Sequence, residues 1–334
     1  MKAIIPVAGA GLRLRPHTYT QPKVLLPVAG KPILGVIIDQ LIEGGFLDFI
    51  FIIGYLGDKI RDYVNKEYSN INATFIQQVD RHGLGHAIWT ANKALDSEEE
   101  VFIVLGDTIV DIDIKKLLSS EHSTLGVMKV EDPRGFGVAE IDENNFIVNL
   151  TEKPNIPLSN MALVGIYRIK ETGKLFEALD HTIEHEIKTN GEFQLTDALM
   201  WMLKQGVKFK ALKVENWYDL GQREVLLETN AILLKKFGGS AETTFKFHNT
   251  IINPPVSVAE NAEIANSIIG PNVTIGENSK INYSIIRESI IANYTTLENV
   301  VLDNSIIGSD ASITGFSQSL NIGDNTEIDL RGAG

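Results

Sequence analysis

Ala3-Ile4-Ile5-Pro6-Val7-Ala8-Gly9-Ala10-Gly11-Leu12-Arg13, near the start of the chain, is an apolar run that breaks into two glycines and then a cation. An unbroken aliphatic run of this length predicts a strand covered on both faces, as in a parallel sheet. Gly9 and Gly11 end it in a backbone turn. Around that turn the charge is one-sided. No Asp or Glu precedes Asp39, although the chain carries 43 acidic residues against 30 basic. Lys2, Arg13, Arg15, Lys23 and Lys31 all fall in this acid-free stretch. A strand end with unpaired backbone N–H groups and surrounding cations suits a polyphosphate anion.

Working outward, Ile33, Leu34, Ile37, Ile38, Leu41 and Ile42 share one stripe of a predicted helix over 33–43, closed by Gly44-Gly45. Short apolar runs follow at Phe49–Ile53, Thr74–Gln77, Val101–Leu105 and Phe146–Leu150, with helical patterns from about Asp58 and over 84–95. This alternation predicts an α/β unit: a Rossmann-like, doubly wound mixed sheet with helices on both faces. Ligands of such sheets bind beyond the carboxyl ends of the strands. The glycine loop and Gly106-Asp107 both stand there.

The texture changes after residue 250. Ser267-Ile268-Ile269, Ser284-Ile285-Ile286, Ser289-Ile290-Ile291 and Ser305-Ile306-Ile307 recur among Asn, Asp and Gly, and Ile269, Ile275 and Ile281 keep a six-residue beat. Hexapeptide repeats of this kind predict a short parallel β-helix, about five coils at ~17 residues each. A β-sandwich with regular turns is the competing reading. The expected organisation is a first unit over 1–237, a linker over 238–250 around Phe237-Gly238-Gly239-Ser240, and the β-helix over 251–334.

Bulk properties remove several function classes. The chain of 334 residues has no cysteine, so disulfides and thiolate chemistry are excluded. Its net charge of −13 argues against general nucleic-acid binding. No apolar stretch approaches the ~20 residues of a membrane span, and no secretory signal is read at the N-terminus, so no membrane partner and a cytoplasmic location are expected.

The loop fits neither well-known phosphate motif. A dinucleotide fingerprint would need glycine at position 14, where Leu14 stands. A Walker A loop would need glycine at 25 and Ser or Thr after Lys31, where Leu25 and Pro32 stand. Instead Gly9-Ala10-Gly11-Leu12-Arg13, Pro22-Lys23, Gln78, Gly83-Leu84-Gly85-His86-Ala87, Gly106-Asp107, Phe136-Gly137-Val138, Glu152-Lys153-Pro154 and Trp217-Tyr218-Asp219-Leu220-Gly221 resemble, in order, the signature of the sugar nucleotidyltransferases. These are the NDP-sugar pyrophosphorylases, and the chain resembles glucose-1-phosphate thymidylyltransferases that carry a left-handed β-helix tail.

The resemblance implies that a sugar-1-phosphate oxygen attacks the α-phosphorus of a nucleoside triphosphate, dTTP or UTP leading, and that pyrophosphate leaves in line. Because the nucleophile is already anionic, catalysis reduces to positioning and charge stabilisation. By the same resemblance Arg13, Lys23 and Asp107 are catalytic, and Ala8, Gly9, Gly11, Gln78 and Gly83 hold the nucleotide. Gly137, Glu152, Lys153, Val164 and Gln194 hold the sugar phosphate, and Asp107 and Asp219 hold Mg²⁺. Mg²⁺ typically takes one or two carboxylates and completes its shell with phosphate and water.

The sequence departs from the family pattern at Leu12, His17, Thr108 and Gln194, which blurs the base and the sugar but removes no metal ligand. Two other readings share parts of the pattern: a non-catalytic scaffold of the same architecture, and a cytidylyltransferase acting on a phosphorylated alcohol. No histidine follows His248, so an acyltransferase activity in the tail is not expected. His181 and His185, four apart, read as an exposed helix pair rather than a metal site. A homo-oligomer contact through the solenoid is expected.

Overall fold

The structure is a computed structural model and describes residues 1–96, 99–237 and 247–315. Two compact units are present, Met1–Leu233 and Leu234–Gly334. Residues 238–246 of the expected linker and everything after 315 in the expected β-helix lie outside the described residues.

In the first unit, β1 (Lys2–Val7) is the buried strand read from the opening run. A small hairpin, β2 (Pro27–Val28) with β3 (Lys31–Pro32), precedes α1 (Ile33–Glu43). Then come β4 (Asp48–Ile53), α2 (Gly57–Glu67), β5 (Asn72–Gln77), α3 (Leu84–Thr90) and β6 (Val101–Val104). The helical pattern over 84–95 is therefore split: α3 stops at Thr90, and a single 3-10 turn, Asn92–Ala94, completes it. Further along lie β7 (Thr108–Asp111), α4 (Ile114–Leu118), β8 (Ser123–Lys129), β9 (Gly137–Ile141), β10 (Ile147–Glu152) and β11 (Met161–Ile169). Then follow α5 (Thr172–Glu184), α6 (Leu195–Lys204), β12 (Phe209–Lys213), β13 (Asn216–Asp219) and α7 (Arg223–Phe237), the last running past the unit's boundary at Leu233.

Nine strands form one sheet along the path β10-β9-β11-β6-β1-β4-β5, with β8 on β11 and β12 on β8. The β6-β1-β4-β5 half is parallel, and β11 joins it antiparallel. Successive side chains of a strand point to opposite faces. Ile4, Ile50, Ile52 and Ile103 enter the core built with Ile88 of α3, Leu179 of α5 and Leu199 of α6. The intervening Ile5, Phe49, Phe51 and Phe102 are equally buried, which is why these strands read as continuous apolar runs. The chain runs from β1 outward to β4 and β5, then crosses to β6 on the other side of β1. The carboxyl end of β1 is thus the topological switch point, where open α/β sheets bind ligands.

The second unit holds three parallel sheets of four strands each among the described residues. Every strand pairing there is parallel and joins residues 16 or 17 apart, as in Ile251–Ile268 and Ile285–Val301, and side-chain bonds Asn249–Asn266 and Asn266–Asn282 repeat the spacing. That is the three-sided coil of a left-handed β-helix, and it removes the β-sandwich. Ile269, Ile275 and Ile281, the residues of the six-residue beat, all point inward. The serines before the aliphatic pairs face inward too: Ser284 N–H donates to Ser267 Oγ at 3.0 Å, and Val300 N–H to Ser284 Oγ at 3.3 Å. Corner residues such as Asn249, Asn266 and Asn299 take left-handed backbone angles, which asparagine tolerates best after glycine.

Candidate active site

The acid-free opening stretch supplies five cations, and the fold sends them to different places. Lys2 starts β1, at the far end from the glycine loop, and donates to the Ala94 carbonyl. Lys31 pairs with Asp39 at 2.6 Å. Arg15 lies over the Tyr19 ring, 4.8 Å from its centroid. The remaining two, Arg13 and Lys23, converge on a pair of carboxylates.

Lys23 is only 8% exposed, and its Nζ donates to Asp107 Oδ2 at 2.5 Å. Asp107 follows β6, and Asp219 ends β13. These elements meet because β13 pairs antiparallel with β7, which sets Asp219 opposite Thr108, and Leu220 N–H donates to the Asp107 carbonyl at 3.0 Å. A side chain at Gly221 would meet Arg13 Nη2 at 2.9 Å and Asp219 Oδ1 at 3.2 Å, so guanidinium and carboxylate flank that glycine. Burial holds the Asp219 carboxyl above its ordinary range, and the neighbouring Asp107 pushes the same way; Lys23 and Arg13 oppose both.

Two hard oxygen ligands of like charge, partly buried side by side, match what Mg²⁺ asks of a protein, because the cation relieves their repulsion and takes its other ligands from phosphate and water. The donor set therefore fits the expected metal. Among the described residues there is no group of three or more His, Cys, Asp or Glu side chains placed to hold a metal ion, and His181 of α5 and His185, which caps its end, lie with ring centroids 4.2 Å apart.

The glycine loop stands above this cluster. Gly11 has φ +61°, and a Cβ there would lie 2.9 Å from both Lys23 Cβ and Thr18 Cγ2. The turn thus requires glycine on both conformational and steric grounds. Thr18 Oγ1 fixes it by donating to the Gly11 carbonyl at 2.8 Å. Ala8 is buried at the strand end, while Gly9 faces open space. Leu12, the departure from the family pattern, is 61% exposed and takes no part in the core.

Gln78 follows β5 and is tied to the sheet by its N–H on the Ile53 carbonyl. It is not a surface glutamine: it is 5% exposed, with Nε2 toward the Gly83 carbonyl and His86. The Gly83 segment is laced to the 191–197 segment. Phe193 N–H donates to the His82 carbonyl and Gly85 N–H to the Phe193 carbonyl, each at 2.8 Å. Gln194 is buried next to it and donates to Glu192 Oε2 at 3.2 Å.

The 191–197 segment also reaches the third group. Thr196 Oγ1 donates to Glu152 Oε2 at 2.7 Å, and Lys153 Nζ lies 3.6 Å from Glu152 Oε1. A Cβ on Gly137, opposite Glu152 in the sheet, would come within 2.8 Å of Thr196 Oγ1 and 3.1 Å of Glu152 Oε2. Burial raises the Glu152 carboxyl above its ordinary range and Asp197 adds to this, while Thr196 and Lys153 oppose it. Phe136, beside Gly137, packs edge-on against Trp217 at 4.7 Å, which links this group to the strand carrying Asp219. Val164 differs from the rest: its side chain is fully buried and packs toward Gly126, so it offers no side chain to a ligand.

Thr196, Asp197 and His86 carry side-chain contacts that the sequence did not single out. Each lies in a segment with a family motif, but their pairing with Glu152, Thr189 and Gln78 arises only in three dimensions.

Known proteins resemble this chain in sequence and fold. The family model described as Nucleotidyl transferase matches residues 2–236. The bifunctional protein GlmU of Methanocaldococcus jannaschii is 36% identical over 264 residues, covering 78% of this chain and 61% of that protein. The chain thus spans about three fifths of that relative's length. A glucose-1-phosphate thymidylyltransferase of Streptomyces antibioticus is 32% identical over 272 residues, covering 79% and 74%. A solved UDP-glucose pyrophosphorylase in complex with UDP-glucose superposes with TM-score 0.62 at 27% identity, covering 70% of this chain and 98% of that one.

Proposed function

The chain belongs to the nucleotidyl transferase family, and from that membership we propose that it joins a sugar-1-phosphate to a nucleoside triphosphate, releasing pyrophosphate. The observation that supports this most is the convergence of Asp107 and Asp219 beside Lys23 and Arg13 at the switch point of the sheet. A scaffold relative would have no use for two charged carboxylates and a buried lysine held together there. dTTP and UTP lead as nucleotides and glucose-1-phosphate as sugar, in keeping with the thymidylyltransferase and UDP-glucose relatives.

In this reading the triphosphate lies over the Gly9–Gly11 backbone, whose N–H groups and cations favour anions. Arg13 grips phosphate oxygens through its planar fork, and Lys23 acts as a compact charge beside them. Both stabilise the negative charge that grows on departing pyrophosphate. Lys153 holds the sugar phosphate, and Glu152, oriented by Thr196, accepts from sugar hydroxyls. Gly137 leaves room for the Glu152–Thr196 contact, which a side chain at that position would strike. Asp107 and Asp219 would hold Mg²⁺, which neutralises phosphate charge and polarises the reacting phosphoryl group. No side chain has to act as base, since the attacking phosphate oxygen is already ionised.

The test is a panel of nucleoside triphosphates against sugar-1-phosphates, scored by pyrophosphate release. Release that requires one triphosphate, one sugar phosphate and Mg²⁺ together supports the proposal. Binding of nucleotide with no release from any pair would favour the scaffold reading.

A further inference from the structure

Gln78 and His86 form a pair whose hydrogen-bond roles can be worked out from geometry. Gln78 Nε2 lies 3.4 Å from the Gly83 carbonyl oxygen and 3.1 Å from His86 Nδ1. A peptide carbonyl can only accept, so the NH₂ end of the amide is the end that faces both groups. An NH₂ opposite Nδ1 requires that nitrogen to carry no proton. His86 is therefore the neutral imidazole with its proton on Nε2. Both N–H bonds of the amide are committed within the protein. What Gln78 has left to offer is Oε1, an acceptor.

We infer that His86 is a positioning residue for Gln78: by accepting at Nδ1 it holds the amide with its oxygen, and not its NH₂, toward the base of the nucleoside triphosphate. This rests on the proposed function and on the expectation, from the family resemblance, that Gln78 is one of the residues holding the nucleotide, here taken to be at its base. An edge that presents an N–H, such as N3–H of uracil or thymine, then donates to Oε1. Cytosine presents a bare N3, and two acceptors face each other. The same buried amide therefore selects against the cytidine nucleotides of the alternative reading.

The surroundings keep the imidazole neutral. His86 stacks on Trp89, 5.7 Å away and 26° from parallel, and Trp89 Nε1 in turn donates to Asp180 at 2.7 Å. The His82 ring stands edge-on at 5.2 Å and packs against Phe193, over which Lys188 sits at 4.7 Å. Burial lowers the His86 pKa most, His82 lowers it further, and Asp80 alone pulls the other way. If His86 were protonated, its Nδ1–H would oppose the Gln78 NH₂. The amide would have to turn over, giving up Gly83 and presenting NH₂ to the N3–H of the base.

The test is equilibrium binding of UTP and CTP with Mg²⁺ across pH in the full chain and in H86L, H86N and Q78A. The parent is expected to bind UTP more weakly only at pH values below the ordinary imidazole range. His86→Leu should weaken UTP about tenfold near neutral pH, the scale of one lost hydrogen bond. It should also narrow the preference for UTP over CTP and abolish the acid dependence. His86→Asn keeps an acceptor near the place of Nδ1 and cannot titrate. It should restore UTP affinity to within about threefold of the parent while remaining flat with pH. Nitrogen-15 NMR of the nucleotide-free protein should show His86 Nδ1 unprotonated at neutral pH. A protonated Nδ1, or H86L binding that matches the parent in affinity, base preference and pH profile while Q78A loses UTP, would overturn the role of His86 and leave the base site standing. Q78A binding that matches the parent would overturn both.

Discussion

The Lys23 ammonium lies 2.5 Å from Asp107 Oδ2, buried at the carboxyl end of the central strands and beside a second carboxylate, Asp219. One lysine thus offsets part of the charge of two acids; burial first, and then the neighbouring Asp107, hold the Asp219 carboxyl above its ordinary range. A divalent cation would complete the compensation.

Lys23→Met removes that charge from a site where transition-state charge develops. The expected result is a fall in kcat of about 10²- to 10³-fold, the range for losing one preorganised electrostatic stabiliser. Steady-state pyrophosphate release measures it, and circular dichroism checks that the fold persists.

Asp219→Asn and Asp107→Asn should each cost several kcal/mol of transition-state stabilisation, at least about 100-fold in kcat/KM. Each should also reduce the rise in Tm that millimolar Mg²⁺ gives with a bound triphosphate. Turnover within about threefold of the parent in either variant would contradict the metal assignment.

Glu152 gives a pH prediction with a definite sign. Its folded-state pKa lies above the ordinary carboxylate value, chiefly through burial. The folded state therefore binds more protons than the unfolded state between the two values, and stability is lost as pH rises through that window. Glu152→Gln cannot undergo this loss. The Tm of the variant relative to the parent should improve from pH 4 to pH 7, while its KM for sugar-1-phosphate rises about tenfold through the lost charged acceptor.

Gly137→Ala places a methyl group 2.8 Å from Thr196 Oγ1 and 3.1 Å from Glu152 Oε2. Overpacking at such a site costs about 1–3 kcal/mol. Denaturant unfolding should show that loss, and the KM for the sugar phosphate should rise more than the KM for the triphosphate.

The two architectures were legible because each leaves a strong period. The buried parallel strands read as unbroken apolar runs, and the β-helix repeated its aliphatic beat coil by coil. By charge alone the cations were legible as a set; only the family likeness singled out Arg13 and Lys23. In residue type and local charge, leaving the family signature aside, Arg13 and Arg15 look equivalent in the sequence. They part only because Arg13 turns toward Asp219 while Arg15 covers Tyr19. Asp107 and Asp219 are 112 positions apart, and the short pairing of β7 with β13 that joins them has no periodic signal of its own. Apart from the family likeness, Gln78, at a strand end before Val79-Asp80-Arg81, has no sequence signal that sets it apart from a surface glutamine. Its burial depends on the Gly83 turn folding back over it. Val164 was placed by family likeness alone, and only the structure turns its side chain into the core.

The most direct measurement is a crystal structure of the full chain with Mg²⁺ and a non-hydrolysable analogue of dTTP or UTP. The metal should lie between the Asp107 and Asp219 carboxylates at about 2.0–2.1 Å from their oxygens, with the triphosphate on the Gly9–Gly11 backbone and Arg13 and Lys23 against it. A triphosphate bound elsewhere, or a metal that touches neither aspartate, would contradict the assignment.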